Sequence, residues 1–325
     1  MRTVLVSSRS FGNVVATGND LLQNAGFEVR RVREEERPLD VAKLVAIVSR
    51  ESPTVIITGA EPMSEPVLSA ASSLRMIMKH GVGVDNIDLG AATSRRIVVA
   101  NAPGTNTEAV ADLTVGLMLS LLRRLCAANA STRSGGWERY MGHELGAMTI
   151  GIVGTGRIGA AVARRVHAFG ASLVGYDVLE NVPLKRDCGL RYLPLDQLLR
   201  EADVVTLHAP LTAGTMNMIG EPQLRAMKPT ALLVNCARGE LVDEEALYAH
   251  LKSGRIAGAA VDVFAAEPPQ NSKLLELENV LATPHIGAYT HEAMEAMDRL
   301  CAETIIDVLV RGKAPGNLLN PEALA

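Results

Sequence analysis

The stretch Thr149-Ile-Gly-Ile-Val-Gly154-Thr-Gly156-Arg-Ile-Gly159 decides the architecture. A short apolar run ends in three glycines at G-x-G-x-x-G spacing and passes directly into helical periodicity over Ala160–Phe169, with Gly170 as the expected stop. Gly154 permits a tight turn, and Gly156 lets backbone approach a pyrophosphate. Gly159 lets the helix pack closely on its strand, and the helix N-terminus presents N–H donors. The next strand ends at Asp177, eighteen residues beyond Gly159. A carboxylate there accepts hydrogen bonds from both hydroxyls of a ribose and repels a 2′-phosphate, so the expected dinucleotide is NAD rather than NADP.

Outward from this fingerprint, short β-branched runs alternate with helical patterns in both directions. Upstream, Thr3–Val6, Glu28–Val32, Thr54–Thr58, Met76–Lys79 and Val98–Ala100 read as strands. Downstream, Ser172–Tyr176, Val204–Leu207, Ala231–Asn235, Gly258–Val263 and Val280–Ala282 continue the series that Thr149–Val153 begins. Strand–helix–strand alternation means parallel sheets covered by helices on both faces. Between the two series lies a long helical stretch, Glu108–Ser131, and a domain boundary is expected near residue 100. The spacing of Ala293, Met297, Leu300, Ile305 and Val308 predicts a helix over Thr290–Arg311, whose partner the residues alone leave open.

Composition excludes several classes. The 325 residues suggest two domains, and 48% hydrophobic with 21% charged residues is an ordinary globular balance. With aromatics at 3%, aliphatic side chains must build the core. A formal charge of −4 argues against binding to nucleic acid or an anionic membrane surface. Cys126, Cys188, Cys236 and Cys301 show no CxxC pair and no metal-ligand spacing, so no metal is expected and reduced thiols in a cytoplasm are. The apolar run Val4–Val6 is too short for a signal peptide, and Val110–Leu122 is interrupted by Asp112 and too short to span a membrane.

Titratable residues follow the later strands directly, where open α/β sheets bind their ligands. The segments are His208-Ala-Pro-Leu-Thr212, Asn235-Cys-Ala-Arg238-Gly-Glu-Leu-Val-Asp243, Val261-Asp262-Val-Phe-Ala-Ala-Glu267-Pro268 and Ala282-Thr-Pro-His285-Ile-Gly287-Ala. Taken singly, Arg238 reads as a surface cation, Glu267 as a loop acid and His285 as a satisfied histidine. Three such residues at successive strand ends beside a dinucleotide fingerprint point instead to chemistry. Arg238 offers a rigid fork of donors for a carboxylate and its neighbouring carbonyl. His285 is suited to acid–base work near neutral pH, and Glu267 to fixing the imidazole tautomer.

From about Lys79 to Ala293 the sequence resembles the D-isomer-specific 2-hydroxyacid dehydrogenases. The resemblance rests on Gly81-Val-Gly-Val-Asp-Asn-Ile-Asp88, Asn101-Ala-Pro-Gly-Thr-Asn106, the glycine fingerprint, and the Arg238, Glu267 and His285 segments in family order. It implies a hydride transfer between NAD and a small 2-hydroxy or 2-keto acid, with Arg238 holding the carboxylate, His285 as acid and base, and Glu267 orienting His285. It further implies cofactor contacts from Arg157, Ile158, Ala209, Cys236, Ala237, Asp262 and Gly287, with Asp262 facing the nicotinamide carboxamide. The Gly81 loop, through Val82 and Gly83, is expected to grip the substrate carboxylate with backbone N–H groups. A reactive thiol is the competing reading of Cys236.

The sequence departs from the family's phosphoglycerate dehydrogenases at one informative place. There the third strand of the first domain ends in an Arg-Ser element that grips the substrate phosphate, whereas here it runs Val55-Ile-Ile-Thr58-Gly59-Ala60-Glu61. A buried phosphate without a cation is costly, so Lys79 and His80, just before the Gly81 loop, are the candidates to compensate, against Lys79 as a solvated strand-end charge.

The expected architecture is therefore α/β: two doubly wound parallel-sheet domains. A Rossmann NAD domain takes 101–288, and a flavodoxin-like substrate domain takes 1–100 with a C-terminal return at 289–325, as the resemblance implies. The helical stretch before Trp137 resembles the family's dimer arm, which implies a homodimer. An NAD-sensing corepressor-type binding protein of the same fold is the alternative from a different functional class.

Overall fold

The computed structural model describes residues 2–324, which divide into two compact units. The first unit runs to Asn106 and resumes at Tyr289, and the second is Thr107–Ala288.

In the first unit, β1 (Arg2–Val6), β2 (Phe27–Arg31), β3 (Val55–Thr58), β4 (Met76–Lys79) and β5 (Val98–Ala100) form one sheet in the order 2-1-3-4-5, with every pairing parallel. The sequences Val-Ile-Ile-Thr of β3 and Met-Ile-Met-Lys of β4 are buried at every position. Continuous rather than alternating apolarity is what a strand covered on both faces requires. Reversal of strand order between β1 and β3 places this sheet's ligand crevice at their C-terminal ends. The helix His291–Leu309 belongs to this unit, burying Met297, Cys301, Ile305 and Val308 along one stripe.

The second unit carries β6 (Thr149–Val153), β7 (Ser172–Tyr176), β8 (Arg191–Tyr192), β9 (Val204–Leu207), β10 (Leu232–Asn235), β11 (Gly258–Val261) and β12 (Val280–Ala282). Its sheet is parallel throughout, in the order 12-11-10-9-6-7-8, so strand order reverses between β6 and β9, where the glycine fingerprint leaves β6. Two aliphatic clusters occupy the two faces, one around Val115, Met118, Ile152 and Val162, the other around Leu198, Val205, Leu233 and Leu247.

Four details differ from the sequence reading. The helix after the fingerprint starts at Arg157 rather than Ala160, because Gly159 lies inside its first turn. A Cβ on Gly159 would sit 1.9 Å from the Gly154 carbonyl oxygen, so only glycine allows that turn to close on the strand. The long helical stretch is two helices, Thr107–Leu122 and Leu125–Arg133, broken where Arg124 takes a left-handed conformation (φ 50°). The Leu122 carbonyl accepts from the His143 N–H (3.0 Å) instead of continuing the helix. The two-residue edge strand β8 has no apolar run to announce it. Finally, the first unit continues past residue 100: Ala102 N donates to Gly81 O (2.8 Å), and Asn317 Nδ2 to Asn101 O (2.7 Å).

Candidate active site

The residues expected at a dinucleotide converge on the C-terminal end of β6. Gly154 sits at φ +91°, and a Cβ there would lie 2.6 Å from the carbonyl carbon of His208, so the tight turn and the close neighbour strand both demand glycine. Gly156 caps the helix and is exposed, and a Cβ on it would meet no protein atom within 4 Å. Nothing in the chain itself requires glycine there, which fits a backbone kept bare for a ligand. Arg157 is exposed beside it and Ile158 half-buried.

Asp177, just past β7, turns one carboxylate oxygen back onto the glycine loop. Its Oδ2 accepts from Thr155 N (2.6 Å) and Thr155 Oγ1 (3.1 Å), and Oδ1 accepts from Leu179 N at 3.3 Å. Desolvation pushes its carboxyl up, but the donations from Thr155, Leu179 and Val178 outweigh it and hold the group below the usual aspartate range. Tyr192 Oη receives the Asn181 N–H at 2.6 Å and lies 2.7 Å from Thr155 Oγ1. Its own hydrogen therefore goes to Thr155, whose hydrogen goes to Asp177. The glycine cradle and the ionised acid fit the dinucleotide that the fingerprint implies. Tyr192 and Thr155 are parts of this apparatus that the sequence reading missed, because neither sits at a position the fingerprint specifies.

The three chemical residues come from three adjacent strands. Arg238 follows β10, and Asn235 holds its loop by accepting from Ala237 N (3.0 Å) and donating to Arg238 O (2.8 Å). Gly239 is buried where a Cβ would lie 2.0 Å from the Phe264 carbonyl carbon, so this loop runs against the one after β11. Glu267 lies in that second loop, with Oε1 accepting from Phe264 N (3.1 Å) and Oε2 at 2.8 Å from His285 Nδ1. Burial alone would raise its carboxyl. The His285 hydrogen bond and charge, the Phe264 N–H and the nearby Arg238 charge reverse that and lower it. An ionised carboxylate only accepts, so Nδ1 of His285 carries hydrogen and Nε2 is directed elsewhere. The His285 side chain is 47% exposed, open to a ligand on that side.

His285 is held in a left-handed backbone conformation (φ +52°), which a non-glycine residue keeps only when its surroundings impose it. Asp262 imposes it. Its backbone oxygen accepts the His285 N–H (2.8 Å), while its buried carboxylate accepts from Thr283 Oγ1 (2.6 Å), Ile286 N (2.9 Å) and Gly287 N (2.8 Å). The carboxylate that the resemblance turns toward a carboxamide thus also holds the loop that carries His285, and Thr283 is a further member the sequence reading missed. Cys236 is buried, and desolvation pushes its thiol up to about 12, which leaves no thiolate for redox chemistry at neutral pH. Ala209 and Ala237 are half-buried in the loops after β9 and β10. Desolvation takes His208 down to about 3, so that imidazole is neutral.

Lys79, Val82 and Gly83 lie in the first unit and are not among this group. Val82 is exposed with its carbonyl accepting from Asn101 Nδ2 (2.7 Å), and Gly83 is half-buried. Lys79 is buried, its ammonium donating to Gly59 O and to Asn86 Oδ1 (2.7 Å). Among the described residues no cluster of His, Cys, Asp and Glu is arranged to hold a metal, and no helix is long and apolar enough to cross a membrane.

Residues 115–287 match the family described as D-isomer specific 2-hydroxyacid dehydrogenase, NAD binding domain. The chain is 41% identical over 305 residues to a glyoxylate reductase of Korarchaeum cryptofilum, covering 92% of this chain and 91% of that one. It is 43% identical over 274 residues to a D-3-phosphoglycerate dehydrogenase of Methanocaldococcus jannaschii, covering 83% of this chain but only 52% of that longer protein. Among solved structures, a D-lactate dehydrogenase of Aquifex aeolicus complexed with NAD and lactic acid superposes with a TM-score of 0.87 at 29% identity, covering 98% and 99% of the two chains. The chain belongs to the D-isomer specific 2-hydroxyacid dehydrogenases, NAD-dependent oxidoreductases.

Proposed function

We propose that this chain interconverts a small 2-keto acid and the corresponding (R)-2-hydroxy acid, with Arg238, His285 and Glu267 as its chemical residues. The observation that carries the proposal is the Glu267–His285 pair at 2.8 Å, with the carboxylate ionised and the Arg238 charge beside it. NADH, when bound, supplies the hydride. Arg238 pairs its guanidinium with the substrate carboxylate and polarises the adjacent carbonyl. His285 gives the proton on Nε2 to the carbonyl oxygen during reduction and removes it during oxidation. Glu267 holds the imidazole in the tautomer that exposes Nε2, and Asp262 holds the backbone from which it projects. Arg157, Ile158, Ala209, Cys236, Ala237 and Gly287 line the dinucleotide, Asp177 takes its ribose, and Val82 and Gly83 offer backbone donors to the substrate.

The test is steady-state oxidation of NADH over glyoxylate, pyruvate and hydroxypyruvate. Turnover on at least one of them supports the proposal, and silence on all three with NADH binding intact overturns it.

A homodimer is the assembly we propose. Leu125, Trp137 and Met141 are exposed within the 123–143 segment, a concentration of large apolar side chains that a second copy would cover. Light scattering coupled to size exclusion checks it against a monomer. Four free thiols fit a reducing cytoplasm.

A further inference from the structure

The Glu267–His285 pair joins two loops of the second unit, and each loop is held by a carboxylate of its own. Asp262 fixes the backbone that presents His285. The span 265–270 that carries Glu267 is exposed at nearly every residue, and its buried anchors are Phe264 before it and Leu274 after it. Burial therefore fixes the ends of this loop and leaves its middle to polar contacts. Glu244 supplies them: Oε1 accepts from Ala265 N (2.7 Å) and Oε2 from Ser272 Oγ (3.4 Å), so one carboxylate ties both ends of the span 265–272. Glu244 opens the helix Glu244–Lys252, whose N-cap Asp243 accepts from Ala246 N (3.1 Å) and whose Leu247 and Leu251 are buried in the core. The loop thus hangs on a rigid element. A cleft of about 390 Å³, lined by Tyr248, Pro268, Pro269 and Gln270 among others, lies between loop and helix, so packing does not do this work for them.

We propose that Glu244 is a positioning residue for the reaction: by closing the 265–272 loop it sets where the Glu267 carboxylate meets Nδ1 of His285. The proposal rests on the acid–base reading of His285 above. An acid in the first turn of a helix ordinarily serves the helix dipole or points to water. Here both oxygens accept from the neighbouring loop instead. Without these ties the Glu267 carboxylate keeps the Phe264 N–H (3.1 Å), but the loop behind it is free to shift. A displacement of about 1 Å takes the 2.8 Å contact with His285 beyond hydrogen-bond range, where it no longer selects a tautomer.

The test reads the imidazole itself as well as turnover. Proton–nitrogen correlation NMR, above the pH at which the imidazole signals titrate, reports which nitrogen of His285 carries hydrogen, and the His285 signals are assigned by their absence from His285→Ala. The unaltered protein should show hydrogen on Nδ1. In Glu244→Ala the signals should move toward a mixture of the two tautomers, and kcat should fall about 10–100-fold while KM for the keto acid and NADH affinity stay within about twofold. Glu244→Gln still accepts from Ala265 N and can donate to Ser272 Oγ, so it should recover most of that loss. Ser272→Ala removes one tie without touching the helix and should move both readouts the same way by less. Where Glu244→Ala does not fold, Ser272→Ala decides, and no movement in it overturns the proposal. A folded Glu244→Ala with the tautomer of His285 unchanged also overturns it, whatever its kcat, as does a glutamine variant no better than alanine. If the unaltered protein binds NADH yet reduces no 2-keto acid, the acid–base reading fails instead, and the tautomer comparison still decides whether Glu244 positions the pair.

Discussion

Nδ1 of His285 lies 2.8 Å from Oε2 of Glu267, and because the carboxylate is held below its usual range it can only accept. The pair therefore fixes the imidazole tautomer, with Nδ1 turned to the carboxylate and Nε2 away from it. His285→Ala should lower kcat by about 10²–10⁴-fold, the usual contribution of a positioned acid–base group. Glu267→Gln retains the shape but loses the charge, so kcat should fall while KM for the keto acid changes little. NADH affinity, read by fluorescence titration, should be unchanged in both. Full turnover in the His285 variant would remove it from the chemistry.

Asp177 should govern the choice of dinucleotide. Asp177→Ala removes a charge-assisted acceptor, a loss of about 1.5–3 kcal/mol, or roughly 10–150-fold in NADH dissociation constant. Tyr192→Phe deletes the donor that fixes Thr155, so it should weaken NADH in the same direction but less. The pH dependence has a definite sign. The folded-state pKa of Asp177 is depressed, so what its charge contributes to stability and to discrimination is fully present above the ordinary aspartate value of 3.8 and is lost only as pH falls through the lower, folded-state value. The ratio of NADH dissociation constants between Asp177→Ala and the unaltered protein, which carries no titration of a 2′-phosphate, should accordingly be flat from neutral pH down to that ordinary value. A ratio that collapses between pH 7 and pH 5 would assign that contribution to another group.

The cysteines should differ sharply in reactivity. Burial pushes the thiols of Cys188, Cys236 and Cys301 up, Cys236 to about 12, whereas Cys126 is exposed. Since the thiolate is the nucleophile, iodoacetamide at pH 7.5 should label Cys126 alone in the folded protein, as read by peptide mass spectrometry. Fast labelling of Cys236 would revive the reactive-thiol reading.

What was legible in the chain is what residue type and local order carry together. Gly154, Gly156 and Gly159 declare a strand–turn–helix joint, and Arg238, Glu267 and His285 each follow an apolar run that ends at the rim of a sheet. The remainder depends on contacts that no local pattern encodes. The helix break at Arg124 arises because the His143 N–H takes the Leu122 carbonyl, a tertiary event in a segment with good helical spacing. Arg37 ends the charged run Arg33-Glu-Glu-Glu-Arg37, in which no local pattern singles it out, yet its guanidinium is folded inward onto Glu61. Asp262 follows β11 just as a ligand-facing acid would, and only the structure shows its carboxylate holding the backbone that presents His285.

Asp298 carries the last prediction, because it ties together two loops of the first unit from the middle of the helix His291–Leu309. Its side chain is fully buried, with Oδ1 at 2.8 Å from His80 Nε2 and Oδ2 accepting from Gly12 N at 2.8 Å. On the other side of the imidazole, Nδ1 of His80 lies 3.0 Å from Ser10 Oγ, and His80 directly precedes the Gly81 loop. Asp298→Ala leaves Nε2 of His80 and the Gly12 N–H without partners in a dry interior, which should cost about 1–3 kcal/mol of stability for each group. Asp298→Asn keeps the size and an acceptor, so it should cost less. Hydrogen exchange locates the damage: protection should fall over residues 8–13, 79–84 and 291–309 and hold over 149–168, while NADH affinity persists because Asp177 and the glycine loop lie in the other unit. Uniform loss of protection across both units, or none at all, would show that Asp298 does not organise these loops.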